Sequence, residues 1–222
     1  MRLAKRGVGA LLLSVTVGSL AACGTQSGAS DGVATESAFV ATTDGPPPAE
    51  ALVGAYVGTA CDCTPVSAQE DFEASELVVE GIVDGVVPGR THGDLDDAKD
   101  GFPLSQSSLI WLEVTGVHKG DVKVGDRVAI ESPPDPERLI PVLGSGTKTL
   151  AFLTPSVPSG TKDGWTIEDP PGLAPAVILW TPSSIWGLSF ESAEGKVVQP
   201  LDHLVLDPEV TLQGYLAQAT AG

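Results

Sequence analysis

Along residues 76–198 the apolar positions fall in short runs separated by turn formers, which predicts strands rather than helices. Glu76 to Val87 (ELVVEGIVDGVV) and Ser108 to Lys119 (SLIWLEVTGVHK) are the two long strand candidates. In the second, Leu109, Trp111, Glu113, Thr115 and Val117 fall on one side and Ile110, Leu112, Val114 and Gly116 on the other. Both faces are apolar at its start, so this strand is expected to cross the centre of a sheet. Lys119-Gly120-Asp121 breaks it, and Gly125-Asp126 gives a second turn before Arg127 to Glu131, where Val128 and Ile130 point inward. Lys148 to Leu153, Ile178 to Trp180, Gly187 to Phe190 and Lys196 to Val198 are shorter candidates, divided by the proline-rich loops at Pro133-Pro134 and Pro170-Pro171-Gly172. Asp207 with Pro208 and Glu209 reads as the start of a short terminal helix that Leu212, Tyr215 and Leu216 would seat on the sheet. The expectation is a mostly β fold: a small closed or partly open barrel of five to six strands with a short C-terminal helix.

The chain before this region follows different rules. A basic start (Arg2, Lys5, Arg6) leads into 14 uncharged residues from Gly7 to Leu20, then Leu20-Ala21-Ala22-Cys23. That order is an export signal. The uncharged run is shorter than the ~20 residues a spanning helix needs, so cleavage is expected rather than a permanent span. Small residues immediately before a cysteine resemble the bacterial lipobox, which implies cleavage before Cys23 and lipid on its sulfur. Several acyl chains, each methylene contributing about 0.8 kcal/mol when buried, would hold the protein at the extracytoplasmic face of the cell membrane. Gly24 is not acidic, which leaves the outer membrane open if the host has one. The expected organisation is a signal peptide over residues 1–22, a lipidated Cys and flexible tether over 23–53, rich in Gly, Ser and Thr and closing in Pro46-Pro47-Pro48, and a single barrel domain over 54–222.

Composition narrows the partners. The 222 residues carry a formal net charge of −17, and loss of Arg2, Lys5 and Arg6 with the signal would leave −20. Such a surface repels phosphate backbones, so nucleic acid is not expected as a partner.

One stretch is more specific. Cys61-Asp62-Cys63-Thr64-Pro65, followed by Gln69, Phe72 and the strand at Glu76 to Glu80, resembles the opening of the tissue inhibitors of metalloproteinases. Val114 to Gly120 (VTGVHKG) is similar to that family's strand ending in Lys-Gly. The resemblance covers about residues 61 to 155 and implies a netrin-like domain, a five-stranded barrel of the oligonucleotide/oligosaccharide-binding (OB) type with helices packed on it. The family also implies distant disulfide partners for both cysteines and a third cysteine after the Phe. Here that place is Glu73, and no further Cys exists. Its inhibitors bind zinc through a free N-terminal amine on the first cysteine, whereas Cys61 follows Ala60 in the chain. The resemblance therefore implies the fold and not the inhibitory chemistry.

Cys61 and Cys63 stand in an oxidising compartment, where a bond to each other, free thiols or a bridge between two chains, and a redox or metal role all remain open. Asp94 to Asp100 gathers carboxylates that a hard cation could use, although without the spacing of an EF-hand a solvated loop is the simpler reading. His92, His118 and His203 are scattered, Gly144-Ser145-Gly146 lacks the nucleophile-elbow pattern, and Trp111, Trp165, Trp180 and Trp186 read as core or rim. No catalytic residue, metal or cofactor is expected. The expected function is a membrane-anchored binding module for a protein or envelope ligand; the alternatives are a thiol–disulfide redox protein using Cys61 and Cys63, or an inhibitor of an extracellular protease. Cys23→Ser should release the protein from membranes or leave the precursor uncleaved in a fractionation assay, and a processed, membrane-bound mutant would contradict the lipid anchor.

Overall fold

A computed structural model describes residues 44–59, 67–202 and 204–221. The signal segment, Cys23, most of the tether and the Cys61–Pro65 motif lie outside the described residues. The elements run α1 (Ala49–Tyr56), α2 (Ala68–Ala74), β1 (Leu77–Asp94), α3 (Leu95–Lys99), β2 (Ser105–Lys119), β3 (Arg127–Ser132), α4 (Pro136–Leu139), β4 (Lys148–Pro155), β5 (Gly160–Lys162), β6 (Trp165–Glu168), β7 (Leu179–Pro182), β8 (Leu188–Glu191), β9 (Val197–Gln199), a 3-10 turn at Pro200–Asp202, β10 (Leu204–Val205) and α5 (Leu212–Ala219).

Among the described residues the strands form one sheet of ten, in the order β10-β9-β8-β4-β7-β3-β2-β1-β6-β5, with a further pairing of β4 to β1. That pairing closes a circuit β1-β2-β3-β7-β4, in which only β3 against β7 is parallel. The fold is thus mostly β with a partly ring-like sheet and a short C-terminal helix. The expectation of five to six strands is corrected to ten, because two wings extend the circuit. β8, β9 and β10 continue it from β4, and β6 and β5 continue it from the far end of β1.

Strand β1 makes the closure possible. Its first residues pair β2 on one edge (Val78 to Lys119) and β4 on the other (Leu77 to Leu153), and its last four pair β6. Four register irregularities along the β2 edge mark where it bends. Glycine at 81 is needed for the close approach: a Cβ there would stand 2.5 Å from Leu112 Cγ and 2.6 Å from the Glu113 carbonyl oxygen.

Two apolar layers result. One side of the sheet buries Leu77, Val79, Val83, Ile110, Leu112, Val114, Val128 and Ile130. The inward set of β2 is thus Ile110, Leu112 and Val114, and Val128 and Ile130 point inward as their alternation predicts. The other side of β1 and β4 presents Val78, Leu150 and Phe152 to α5, whose Leu212, Tyr215 and Leu216 cover them. Phe152 and Tyr215 meet edge to face, with centroids 6.0 Å apart. Helix α5 starts later than Asp207 predicts: Thr211 is the N-cap and accepts from the Gly214 N–H at 3.0 Å. Asp207 instead makes a local turn, accepting from Glu209 N–H.

Packed residues are already present at Asp44, ahead of Gly54, where the sequence places the start of the domain. Gly45 N–H donates to the Ser145 carbonyl, Ala193 N–H to the Pro47 carbonyl, and Ala49 N–H to Glu194 Oε2. On α1, Leu52 and Tyr56 lie four residues apart and are fully buried, with Tyr56 Oη 2.8 Å from Ser132 Oγ. The proline-rich composition hides this, since Pro48 serves as the helix N-cap residue rather than as the end of a spacer. Leu52→Ala should therefore lower unfolding stability by about 3 kcal/mol in urea titrations; a loss below about 0.5 kcal/mol would mean that α1 is not part of the core.

Candidate functional site

The two ends of β1 carry the polar clusters of the molecule. At its start, α2 enters through a capping box: Glu70 N–H donates to Ser67 Oγ, and Ser67 N–H donates to Glu70 Oε2 at 2.6 Å. The spacing Ser67-x-x-Glu70 is a sequence signal for this helix that periodicity over seven residues does not reveal. Gln69 is exposed and its amide donates to Glu73 within the helix. Phe72 is half-buried on the outer apolar layer. Lys119, from the Lys-Gly end of β2, donates Nζ to the carbonyls of Phe72 and Glu73 at 2.8 and 2.9 Å and sits 5.3 Å from the Phe72 ring centroid. A cation on the last carbonyls of a helix is favourable, and here it ties the end of α2 to the end of β2.

The same helix holds Asp71, a buried carboxylate. Ser183 Oγ donates to Oδ1 at 2.5 Å and Ser184 Oγ donates to Oδ2 at 2.9 Å. Burial raises the Asp71 carboxyl above the usual carboxylate range, and the two serine hydroxyls pull it partly back. These bonds fasten α2 to the turn between β7 and β8.

At the other end of β1, Arg90 is 3% exposed. Its guanidinium forks onto Glu131 of β3, Nε lying 3.2 and 3.1 Å from the two carboxylate oxygens and Nη2 2.5 Å from Oε2. Nη1 donates to the Val157 carbonyl and Nη2 to Ser156 Oγ, while Ser107 and Ser156 donate to Glu131. Burial pushes the Glu131 carboxyl up, but the hydrogen bonds from Arg90 and Ser156, the Arg90 charge and the Ser107 hydroxyl outweigh it and hold it below the usual range. Four pieces of chain, β1, β2, β3 and the segment after β4, meet at this node.

The segment after β4 is thereby fixed at its root and makes an excursion that the sequence does not foretell. Residues 160–168 form the hairpin β5–β6, closed by Asp163-Gly164 with φ of 52° and 85°. Positive φ at both central positions is a type I′ turn, for which Asp-Gly is a favoured pair. β6 pairs Thr91–Asp94 of β1, and Leu95 N–H donates to the Gly164 carbonyl at 2.8 Å. The loop after β1 and the loop after β4 therefore meet. Two clefts open on either side of Val157-Pro158-Ser159. One, about 390 Å³, is walled by Arg90, Asp169, Leu173, Val177 and Ile178. Its neighbour, about 500 Å³, is walled by Val157, Thr161, Lys162, Trp165 and Ile167. Val157, Trp165 and Ile178 are 65%, 49% and 63% exposed.

The remaining candidates have local duties. Asp94 caps α3 by accepting from Asp96 N–H, and Asp96 pairs with Lys99, so two carboxylates of that loop serve the helix. His92 lies tilted against Trp165, with centroids 6.3 Å apart, and His118 Nε2 is 3.7 Å from Glu80 Oε2. Ser145 holds the N-terminal entry through its carbonyl. Trp111 stacks under Arg127 at 5.0 Å, Trp180 packs on the core, and Trp186 Nε1–H donates to Asp202. Cys61, Cys63, Pro65 and His203 lie outside the described residues. No helix among the described residues is long and apolar enough to cross a membrane. The sequence reading missed Arg90, Glu131 and Asp71, since a charge inside a strand or short helix reads by default as solvated.

No family model, curated protein or solved structure matches the chain.

Ionised Glu131, its folded value lowered, contributes stability that is present above the unfolded value near 4.5 and is lost as pH falls through the folded value. In Arg90→Met the carboxylate is buried without its cation, so unfolding at pH 7 should show a loss of about 3 to 5 kcal/mol. The loss should shrink at pH 4, where the proton replaces the missing charge. An equal loss at both pH values would contradict the ion pair as the source.

Proposed function

We propose that this protein is a lipoprotein anchored through Cys23 at the extracytoplasmic face of the cell membrane, and that its barrel is a binding module. The observation that carries the binding reading is the meeting of the loops after β1 and β4 around two clefts, one of mixed polar and apolar lining and one mostly apolar, rimmed by the exposed side chains of Val157, Trp165 and Ile178. Pockets of a few hundred Å³ with apolar walls and few convergent polar groups are the usual form of a ligand site.

The finer fold reading is an OB-like, netrin-like barrel. It is supported by the five-strand circuit in which a bent first strand pairs both the second and the fourth, by α4 placed between the third and fourth strands with Leu139 buried, and by the seat of Lys119 on the Phe72 turn. Barrels of this class use the loops after their first and fourth strands for recognition, which correspond here to the two loops that meet. The anchor reading is supported by Leu20-Ala21-Ala22-Cys23, where small residues stand directly before a cysteine at the end of the uncharged run.

A photo-crosslinking residue at Val157 in intact cells should capture an extracytoplasmic component, while the same residue at the exposed turn position Asp121 should not. Capture of cytoplasmic proteins alone, or equal capture at both positions, would contradict the reading.

A further inference from the structure

Strand β5 ends the sheet. Among the described residues it pairs with β6 alone, and all three of its residues are exposed. In a hairpin closed by two residues, the flanking pair, here Lys162 and Trp165, bond each other, so the next residue out, Thr161, turns its N–H and C=O away from the partner strand. A free edge is a template for another extended chain. The edge is short and carries Lys162, which limits pairing to a few residues, but Val157 and Trp165 stand exposed in the adjoining cleft, where alternate side chains of an added strand would need apolar seats. The charge around it is mostly negative: Asp163, Glu168 and Asp169 against Lys162, in a chain of net charge −17. Ser159 holds Asp169 beside the cleft through a 2.9 Å hydrogen bond.

We propose that the β5 edge is a docking site for a cationic peptide in extended form, which adds a strand beside Thr161 and sets alternate apolar side chains on Val157 and Trp165. The inference rests on the binding-module reading and names its partner class. Backbone pairing would supply affinity without sequence, the cleft would require a small apolar side chain at alternate positions, and the acidic surround would select Lys or Arg between them.

The test uses the full lipidated chain in nanodiscs of zwitterionic phosphatidylcholine and fluorescence anisotropy of a labelled hexapeptide of alternating Lys and Val. The expected result is binding about tenfold or more tighter than that of the matching Glu–Val peptide, weakening as salt is raised. N-methylation of alternate backbone nitrogens keeps every charge and side chain but should weaken binding by about tenfold or more, because the edge hydrogen bonds are lost. Thr161→Pro, which removes the outward N–H, should do the same with an unchanged melting temperature. Equal binding of the Glu–Val peptide, or full binding of the N-methylated one, would overturn the proposal whether or not the proline variant folds. Self-association of the chain that Thr161→Pro abolishes would also overturn it, by making a second copy the occupant. Failure here together with successful crosslinking at Val157 in cells would leave a binding module with a different ligand, so the two readings fail separately.

Discussion

Pairing of one strand with three neighbours is the constraint on which the rest of this molecule depends. β1 is 18 residues long and cannot stay straight, because Val78 to Ile82 must satisfy β2 and β4 at once and Thr91 and His92 must satisfy β2 and β6. The cost of leaving buried backbone groups unpaired forces it to bend rather than to end. The bend requires the close approach at Gly81, where Leu112 and the Glu113 carbonyl leave no room for a side chain. Once β1 bends, β4 can reach its first half, the circuit closes, and both faces of β4 become buried: Ala151 and Leu153 on the inner layer, Leu150 and Phe152 on the outer.

The same bend places the excursion after β4 where an open sheet would not. Because β4 leaves β1 after Ile82, the later edge of β1 is available to the excursion between β4 and β7, and β6 occupies it. A buried arginine is a costly way to hold that excursion, since its charge must be matched in a poor dielectric. It is matched fully here by the fork onto Glu131, by Ser156 and by the Val157 carbonyl. The node fixes the root of the excursion on the sheet through the Val157 carbonyl, while the Val157 side chain at that root and Trp165 next to the hairpin turn stay exposed to water. A rigid base under an exposed apolar rim is the arrangement the proposed binding role would use.

Legibility followed the physics of each segment. Strand runs such as ELVVEGIVDGVV and KTLAFL declare themselves because burial demands apolar residues, and the outcome matched for their positions and for the inward set of β3. The extension of β1 to Asp94 was illegible because Pro88, Gly89 and Arg90 each read as punctuation, while in the fold Pro88 is exposed and Arg90 is neutralised by a residue 41 positions away. Helix α1 was hidden by the glycine- and proline-rich stretch before it, although Leu52 and Tyr56 carried the i, i+4 signal. The hairpin had a readable Asp163-Gly164 turn, but Gly160 to Lys162 has no apolar alternation because both of its faces are wet. Of the candidate site, the Lys119 end of β2 was legible from the Lys119-Gly120-Asp121 break; Arg90, Glu131 and Asp71 were not, as no local rule marks a charge that will be buried.

Double pairing of β1 is most directly read from nuclear Overhauser contacts in the isotope-labelled protein in solution. The account predicts backbone contacts from Val78 to Ile82 with both β2 and β4, from Thr91 and His92 with both β2 and β6, and from Gly93 and Asp94 with β6. Contacts from Val78 to Ile82 to β2 alone would mean that the circuit does not close.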